Sequence, residues 1–187
     1  MPRMSEAEKQ KSHDRILDAA AELFREQGLD ATSVSDVMKR AGMTHGGFYR
    51  HFAGKDDLVA AAFERAVDQV VADIEASKDG EERAQARATY IDNYLSADHV
   101  TDRQRGCPMA ALGSELGRAE GEAAGKTSQA VDRVSALLQH NGTDELAEAR
   151  LALLVGSITL ARLSHDDRRA GAILDSARAA IRRLSPE

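Results

Sequence analysis

Thr32-Ser33-Val34-Ser35-Asp36-Val37-Met38-Lys39-Arg40-Ala41-Gly42-Met43-Thr44-His45-Gly46-Gly47-Phe48-Tyr49-Arg50-His51-Phe52 holds two short helical segments and the turn that joins them. Ser33 with Asp36 three residues later reads as a capping box. It opens a helix to about Ala41, with Val34, Val37 and Met38 inward. Gly42 breaks that helix, since glycine takes positive φ without steric cost. Thr44 can cap a further helix, about His45 to Phe52. The pattern is a helix-turn-helix spanning about 33–52. Its second helix carries adjacent Gly46 and Gly47 and is intrinsically poor. Close approach of its backbone to another surface would account for both glycines.

Outward from this stretch the periodicity stays helical. Upstream, Ile16, Leu17, Ala20, Leu23 and Phe24 form one stripe of a helix over about 6–27, and Gly28 ends it. Downstream, Gly54 breaks the chain and a long helix starts near Lys55 and runs to about Ser77. Leu58, Ala62, Phe63, Ala66, Val70 and Ile74 trace its buried stripe. Ser77-Lys78-Asp79-Gly80 reads as a loop. Helical segments follow at about 82–97, 108–118, 122–140, 144–163 and 167–184. Gly117, Gly121 and Gly125 predict an irregular or mobile stretch. No segment shows the period-2 alternation of a strand. The predicted class is all-α: an N-terminal three-helix helix-turn-helix domain over 1–55, then a helical domain over 56–187.

Composition narrows the function. The 187 residues carry a net charge of −6, which taken whole argues against nucleic acid. Divided, residues 1–55 are +1 and the remainder is −7. Residues 37–55 contain Lys39, Arg40, Arg50 and Lys55 and no acid, with His45 and His51 as further donors. That is the local asymmetry a DNA-contacting face needs. One Cys excludes an intrachain disulfide and predicts a reduced, cytoplasmic setting. The longest charge-free run, Leu151 to Ala161, is about half of the ~20 residues that span a bilayer, and the N-terminus lacks a signal peptide's apolar region. No membrane association is expected. No Ser-His-Asp order, Glu-x-x-His motif or phosphate loop is visible, so no enzyme is expected. His13, His99, His140 and His165 show no metal-ligand spacing and read as solvated surface. Neither metal nor cofactor is expected.

The stretch from Thr32 to Phe52, continued by Lys55-Asp56-Asp57-Leu58 and preceded by Ile16-Leu17-Asp18-Ala19-Ala20 and Leu23-Phe24, resembles the DNA-binding domain of TetR-family transcriptional regulators. The resemblance covers about residues 10–60. It implies a dimeric regulator, a repressor on an inverted-repeat operator released by a small-molecule effector. It implies that Ser33, Thr44, His45, Gly46, Gly47, Tyr49, Arg50, His51 and Lys55 form the DNA-binding set. Tyr49 and Lys55 would hold phosphates, and Phe48 and Phe52 would pack the small core. Many members carry lysine where His45 stands, so the phosphate contact there is weaker at neutral pH or becomes a base contact.

The second half is read more coarsely. Leu146, Ala149, Leu153, Gly156 and Leu160 recur along one helix that is apolar nearly all round. Ile173, Leu174, Ala177 and Ile181 stripe the next. Intrachain core and a subunit interface both fit these stripes. The resemblance implies the second, with the last two helices pairing across a two-fold. It also implies a ligand pocket around Phe63, Tyr90, Tyr94, Cys107, Met109, Leu112, Leu116 and Leu154, which would be mainly aliphatic. Pro108 at the first helical position makes Cys107 an N-cap. Near Arg103 and Arg105 its thiol could have a lowered pKa and serve a redox- or electrophile-sensing regulator, or it could be a small buried thiol.

Overall fold

The computed structural model describes residues 5–78, 80–140 and 145–185. Helix α1, Glu6–Gln27, starts at a capping box: Ser5 Oγ accepts from Glu8 N at 3.2 Å, and Glu8 accepts from Ser5 N at 2.9 Å. It ends where Gly28, at φ 87°, donates to the Phe24 carbonyl. Helix α2, Val34–Arg40, starts at the predicted Ser33/Asp36 box. The next element is a 3-10 helix, His45–Arg50, rather than an α-helix to Phe52. Its predicted cap is also absent, since the Thr44 side chain makes no capping bond. Two glycines in so short a segment give no α-helical preference, and the Thr44 carbonyl instead accepts from Gly47 N in a three-residue turn.

Helix α3, Lys55–Ala76, matches the long helix of the sequence. Then come α4 (Glu81–Tyr94), α5 (Ala97–Thr101), α6 (Pro108–Leu116), α7 (Gly121–Leu137), α8 (Ala147–Ser164) and α9 (Asp167–Leu184). The five-residue α5, capped by Ser96, was not expected, and α4 stops three residues early to make room for it. Gly117 closes α6, Gly121 opens α7 at φ 62°, and Gly125 lies inside regular helix, so the irregularity is confined to the 117–120 corner. Asp79 of the predicted loop and Asp144, where a helix was expected to start, lie outside the described residues. Among the described residues there is no strand.

Packing follows from the buried stripes. Helix α3 lies between α1 and α7; α6 touches α1, α3, α7 and α8; α8 and α9 form a hairpin through His165, which is left-handed at φ 50°. One apolar cluster runs without a break from Ile16 on α1 to Ile181 on α9. Phe63, Met109, Leu112, Leu116 and Leu154 belong to it, each at most 8 % exposed. Arg150 is fully buried and ties three helix ends: it donates to the carbonyls of Leu138 and Leu184 from the start of α8. Those carbonyls are orphans of helix C-termini, where a cation is favoured.

Candidate functional site

The helix-turn-helix presents a compact polar face. Thr44, His45, Gly46, Tyr49 and Arg50 are exposed, Tyr49 at 70 %. Phe48 and Phe52 point the other way, into the core, with rings stacked at 5.7 Å. The turn is set by Gly42 at φ 68°, where Arg15 bonds the adjacent Ala41 carbonyl and a Cβ would sit 2.8 Å from the guanidinium. Gly46 is different. A Cβ there would meet nothing within 4 Å, so the protein's own packing does not demand glycine.

Several residues predicted for this face are occupied elsewhere. Ser33 spends its hydroxyl in the capping box, donating to Asp36 Oδ2 at 2.5 Å. Lys55 Nζ reaches inward to the Leu29 carbonyl at 2.5 Å, holding the end of the α1–α2 corner rather than a free phosphate position. His51 is half-buried, its ring 5.8 Å from that of His13, and its Nδ1 is buried without a partner. Burial, then neighbouring His13, Lys9 and Arg50, pulls its pKa down. Arg40 pairs with Glu22 at 3.3 Å and Glu26 at 3.8 Å on α1. The acid-free run in sequence is therefore not acid-free in space: among the described residues, Lys39 and Arg50 are the cations of this run without an ion-pair or hydrogen-bond partner.

This face is tied to the rest of the molecule by several polar contacts, among them Arg65 of α3 donating to Asp18 of α1 at 2.8 Å. Leu29 N, just after α1, donates to Glu115 Oε1 on α6 at 2.8 Å. Arg25, 4 % exposed, donates to Ala21 O on its own helix at 3.0 Å, to Gln69 Oε1 on α3 at 2.9 Å and to Gly106 O beside Cys107 at 3.3 Å. Burial lowers its pKa, but an arginine so placed stays charged.

Gln69 and Gly106 also border a cleft of about 1150 Å³ between α3, α4, α5 and the 102–107 loop. Of the residues predicted for a pocket, Tyr90, Tyr94 and Cys107 line it; Phe63, Met109, Leu112, Leu116 and Leu154 do not, because they fill the core beneath. The lining combines apolar and polar surface. The rim carries Asp73, Glu81, Glu82, Asp98 and Asp102 against Arg105. These acids stand on separate elements, so no short stretch of sequence announces them.

Cys107 is the N-cap of α6, as its position before Pro108 predicts. A lowered pKa does not follow. The side chain is 4 % exposed, and burial pushes the thiol up despite hydrogen bonding from Tyr94 and the Ala110 and Met109 backbone. His99 is not surface either. Its Nδ1 lies 2.7 Å from the Tyr94 carbonyl and its Nε2 accepts from Cys107 N at 2.8 Å. Burial lowers its pKa, and Arg162, which donates to the His99 and Val100 carbonyls, adds to that. His13 is half-buried and stacks on Phe52 at 4.8 Å.

The predicted interface stripes divide. Leu146 (41 %) and Leu160 (57 %) are exposed, joined by Ala149 and the unpredicted Leu163 (65 %), with Leu153, Gly156 and Ile173 half-buried. Leu174, Ala177 and Ile181 are buried within the protomer, because α9 turns that stripe onto its own core. Among the described residues, no helix is long and apolar enough to cross a membrane.

Comparison with known proteins agrees with this architecture. Residues 16–62 match the family model of bacterial regulatory proteins, tetR family. An uncharacterised HTH-type transcriptional regulator of Mycobacterium tuberculosis H37Rv is 31 % identical over 168 residues, covering 82 % of this chain and 85 % of that protein. The HTH-type transcriptional regulator AcrR of Shigella flexneri is 41 % identical over 64 residues, 34 % of this chain and 30 % of its own. Among solved structures, reduced NemR of Escherichia coli superposes with a TM-score of 0.72 at 21 % identity, over 91 % of this chain and 94 % of its own. A TetR regulator of Legionella pneumophila gives 0.71 at 20 % identity over the whole of both chains. With a full-length relative above 30 % identity and the helix-turn-helix in place, the chain belongs to the tetR family of bacterial regulatory proteins.

Proposed function

We propose that this DNA-binding transcriptional regulator is a repressor that binds an inverted-repeat operator as a homodimer and is released by a small-molecule effector. The reading unit is residues 1–55, and 56–187 serve effector binding and dimerisation. The observation that carries the DNA-binding part is the exposed set Thr44, His45, Tyr49 and Arg50 around Gly46, where the space for a side chain is left open. Bare backbone can approach phosphates, Tyr49 can reach them, and Arg50 can address a base edge or a phosphate. Leu146, Ala149, Leu160 and Leu163 support pairing of the α8–α9 hairpin with a second copy. A two-fold dimer would set its recognition elements about 34–36 Å apart, one DNA turn.

The effector reading rests on Arg25 and Glu115, which join α1 to the cleft wall and to α6. A ligand that moves Gly106 or Gln69 biases the orientation of the reading unit, and occupancy shifts the population accordingly. The buried thiol, with its pKa pushed up, weighs against Cys107 as the sensor. The test is a gel shift on DNA flanking the coding region. Binding of a symmetric site by the dimer, lost in Arg50→Ala with helicity retained, supports the assignment. Equal binding by Arg50→Ala refutes this face.

A further inference from the structure

We propose that Glu115 is a positioning residue for operator recognition: acting through Leu29 rather than by touching DNA, it fixes the setting of the helix-turn-helix against the helical body; this rests on the DNA-binding reading above. Its own helix gives no reason for a carboxylate there. Glu115 lies in the last turn of α6, where the helix dipole disfavours negative charge. Among the described residues it has no ion-pair partner. Its one hydrogen bond among them crosses to the end of α1, where Oε1 accepts from Leu29 N at 2.8 Å. The carboxylate lies against the bare Cα of Gly28, 3.4 Å from where a Cβ would stand.

Leu29 is held from the opposite side as well, since Lys55 Nζ at the start of α3 donates to its carbonyl at 2.5 Å. A carboxylate thus takes the N–H and an ammonium takes the C=O, both charge-assisted bonds and so stronger than neutral ones. The corner is braced within itself: buried Thr32 donates from Oγ1 to the Gly28 carbonyl at 2.8 Å. A shift at Leu29 therefore reaches Ser33, the N-cap of α2, without being absorbed on the way. Helix α2 packs in turn on α1 and on the 3-10 helix. One turn before Leu29, Arg25 grips the Gly106 carbonyl ahead of α6. One grip alone would leave α1 a pivot. Two grips, one before α6 and one in its last turn, fix a direction. A two-fold dimer needs that direction, because both recognition elements must meet their grooves together.

Charge alone predicts the opposite sign. Removing an acid from a DNA-binding protein tightens its hold on any duplex, whereas losing a grip on the reading unit weakens the operator alone. Gel shifts of the full chain on the operator duplex selected from the flanking DNA and on a scrambled duplex, at one salt concentration, separate the two. Glu115→Ala is expected to lower the operator-to-scrambled affinity ratio about fivefold or more, the low end of coupling between separate sites, with scrambled binding unchanged or tighter. Glu115→Gln, which keeps an amide oxygen for Leu29 N, should restore most of the ratio. A ratio unchanged in Glu115→Ala overturns the proposal, as does a Gln variant as poor as the Ala one. Hydrogen exchange adds an arm that needs no DNA. Residues 33–41 should exchange faster in Glu115→Ala than in wild type, with α8 and α9 unchanged; equal exchange over 33–41 overturns the proposal. If the wild type prefers neither duplex, the DNA-binding reading fails, and the exchange result still decides whether Glu115 holds the helix-turn-helix.

Discussion

Replacing Arg25 with Met keeps the aliphatic stem and removes the fork that ties α1 to α3 and to the loop before α6. Three bonds are lost, of unequal weight. The bond to Ala21 O is local to α1. Gln69 is exposed and also donates to Asp18 at 3.1 Å, so its freed carbonyl oxygen can turn to water. Gly106 is buried, and its carbonyl would be left unpaired at a cost of about 1–3 kcal/mol. Against this stands the relief of burying a guanidinium, which recovers part of the loss. The net expectation is a destabilisation of about 2 kcal/mol. For a domain of this size that lowers the melting temperature by roughly 4–8 °C. Calorimetry at one fixed protein concentration tests this, since dimerisation makes the midpoint concentration-dependent. Arg25→Lys, which keeps the charge but cannot fork, should fall between. A Met variant that melts at or above the wild-type temperature would falsify the idea that Arg25 is a structural tie.

Four further outcomes are expected. Gly46→Ala should leave stability unchanged or raise it by about 0.5–1 kcal/mol, because a Cβ meets nothing there, while operator affinity drops; urea melts with gel shifts separate the two, and a loss of stability would contradict the open site. Gly42→Ala should cost about 1–2 kcal/mol from positive φ, with the guanidinium of Arg15 forced to move; a melt within error of wild type speaks against strain at the turn. Arg50→Ala should shift stability by no more than about 0.5 kcal/mol, since the side chain is exposed, and weaken operator binding by about tenfold or more. Finally, His99 and His51 are held below their ordinary pKa of about 6.5. The unfolded chain then binds more protons as pH falls below that value, so stability is full above about pH 6.5 and declines through the window down to the depressed folded values. His99→Gln should flatten that decline in urea melts between pH 7.5 and 5; an unchanged slope excludes His99 as its source.

What could be read in the sequence was local. The Ser33/Asp36 box, the Cys107-Pro108 start of α6 and the stripes of α1, α3 and α9 need only neighbours within a turn or two. What could not be read depends on partners far along the chain. Arg40 and Lys55 looked free because Glu22, Glu26 and the Leu29 carbonyl lie 14 to 26 residues away. The cleft rim gathers residues from 73 to 105, and its acids look like ordinary solvated faces one helix at a time. His99 showed no pattern because both its ring nitrogens meet backbone groups, which any residue supplies. Periodicity placed Leu174, Ala177 and Ile181 on one face of a helix without saying which neighbour that face meets.

The unbroken core from α1 to α9 bears on how such a regulator can be re-engineered. Leu58, Val59, Ala62 and Phe63 of α3 belong to the same cluster as Phe24, Phe48 and Phe52, so a cut between residues 55 and 56 strips the reading unit of one wall. A chimera that exchanges operator specificity between relatives therefore has to carry α3 with the donor's α1, α2 and 3-10 helix. It must also keep the pairs that bridge the graft, Arg25 with Gly106 and Leu29 with Glu115. Because α3 packs on α7 as well as on α1, and Arg133 of α7 holds Asp68 and Glu75 of α3, a cut after Ser77 must preserve that second face of α3 too.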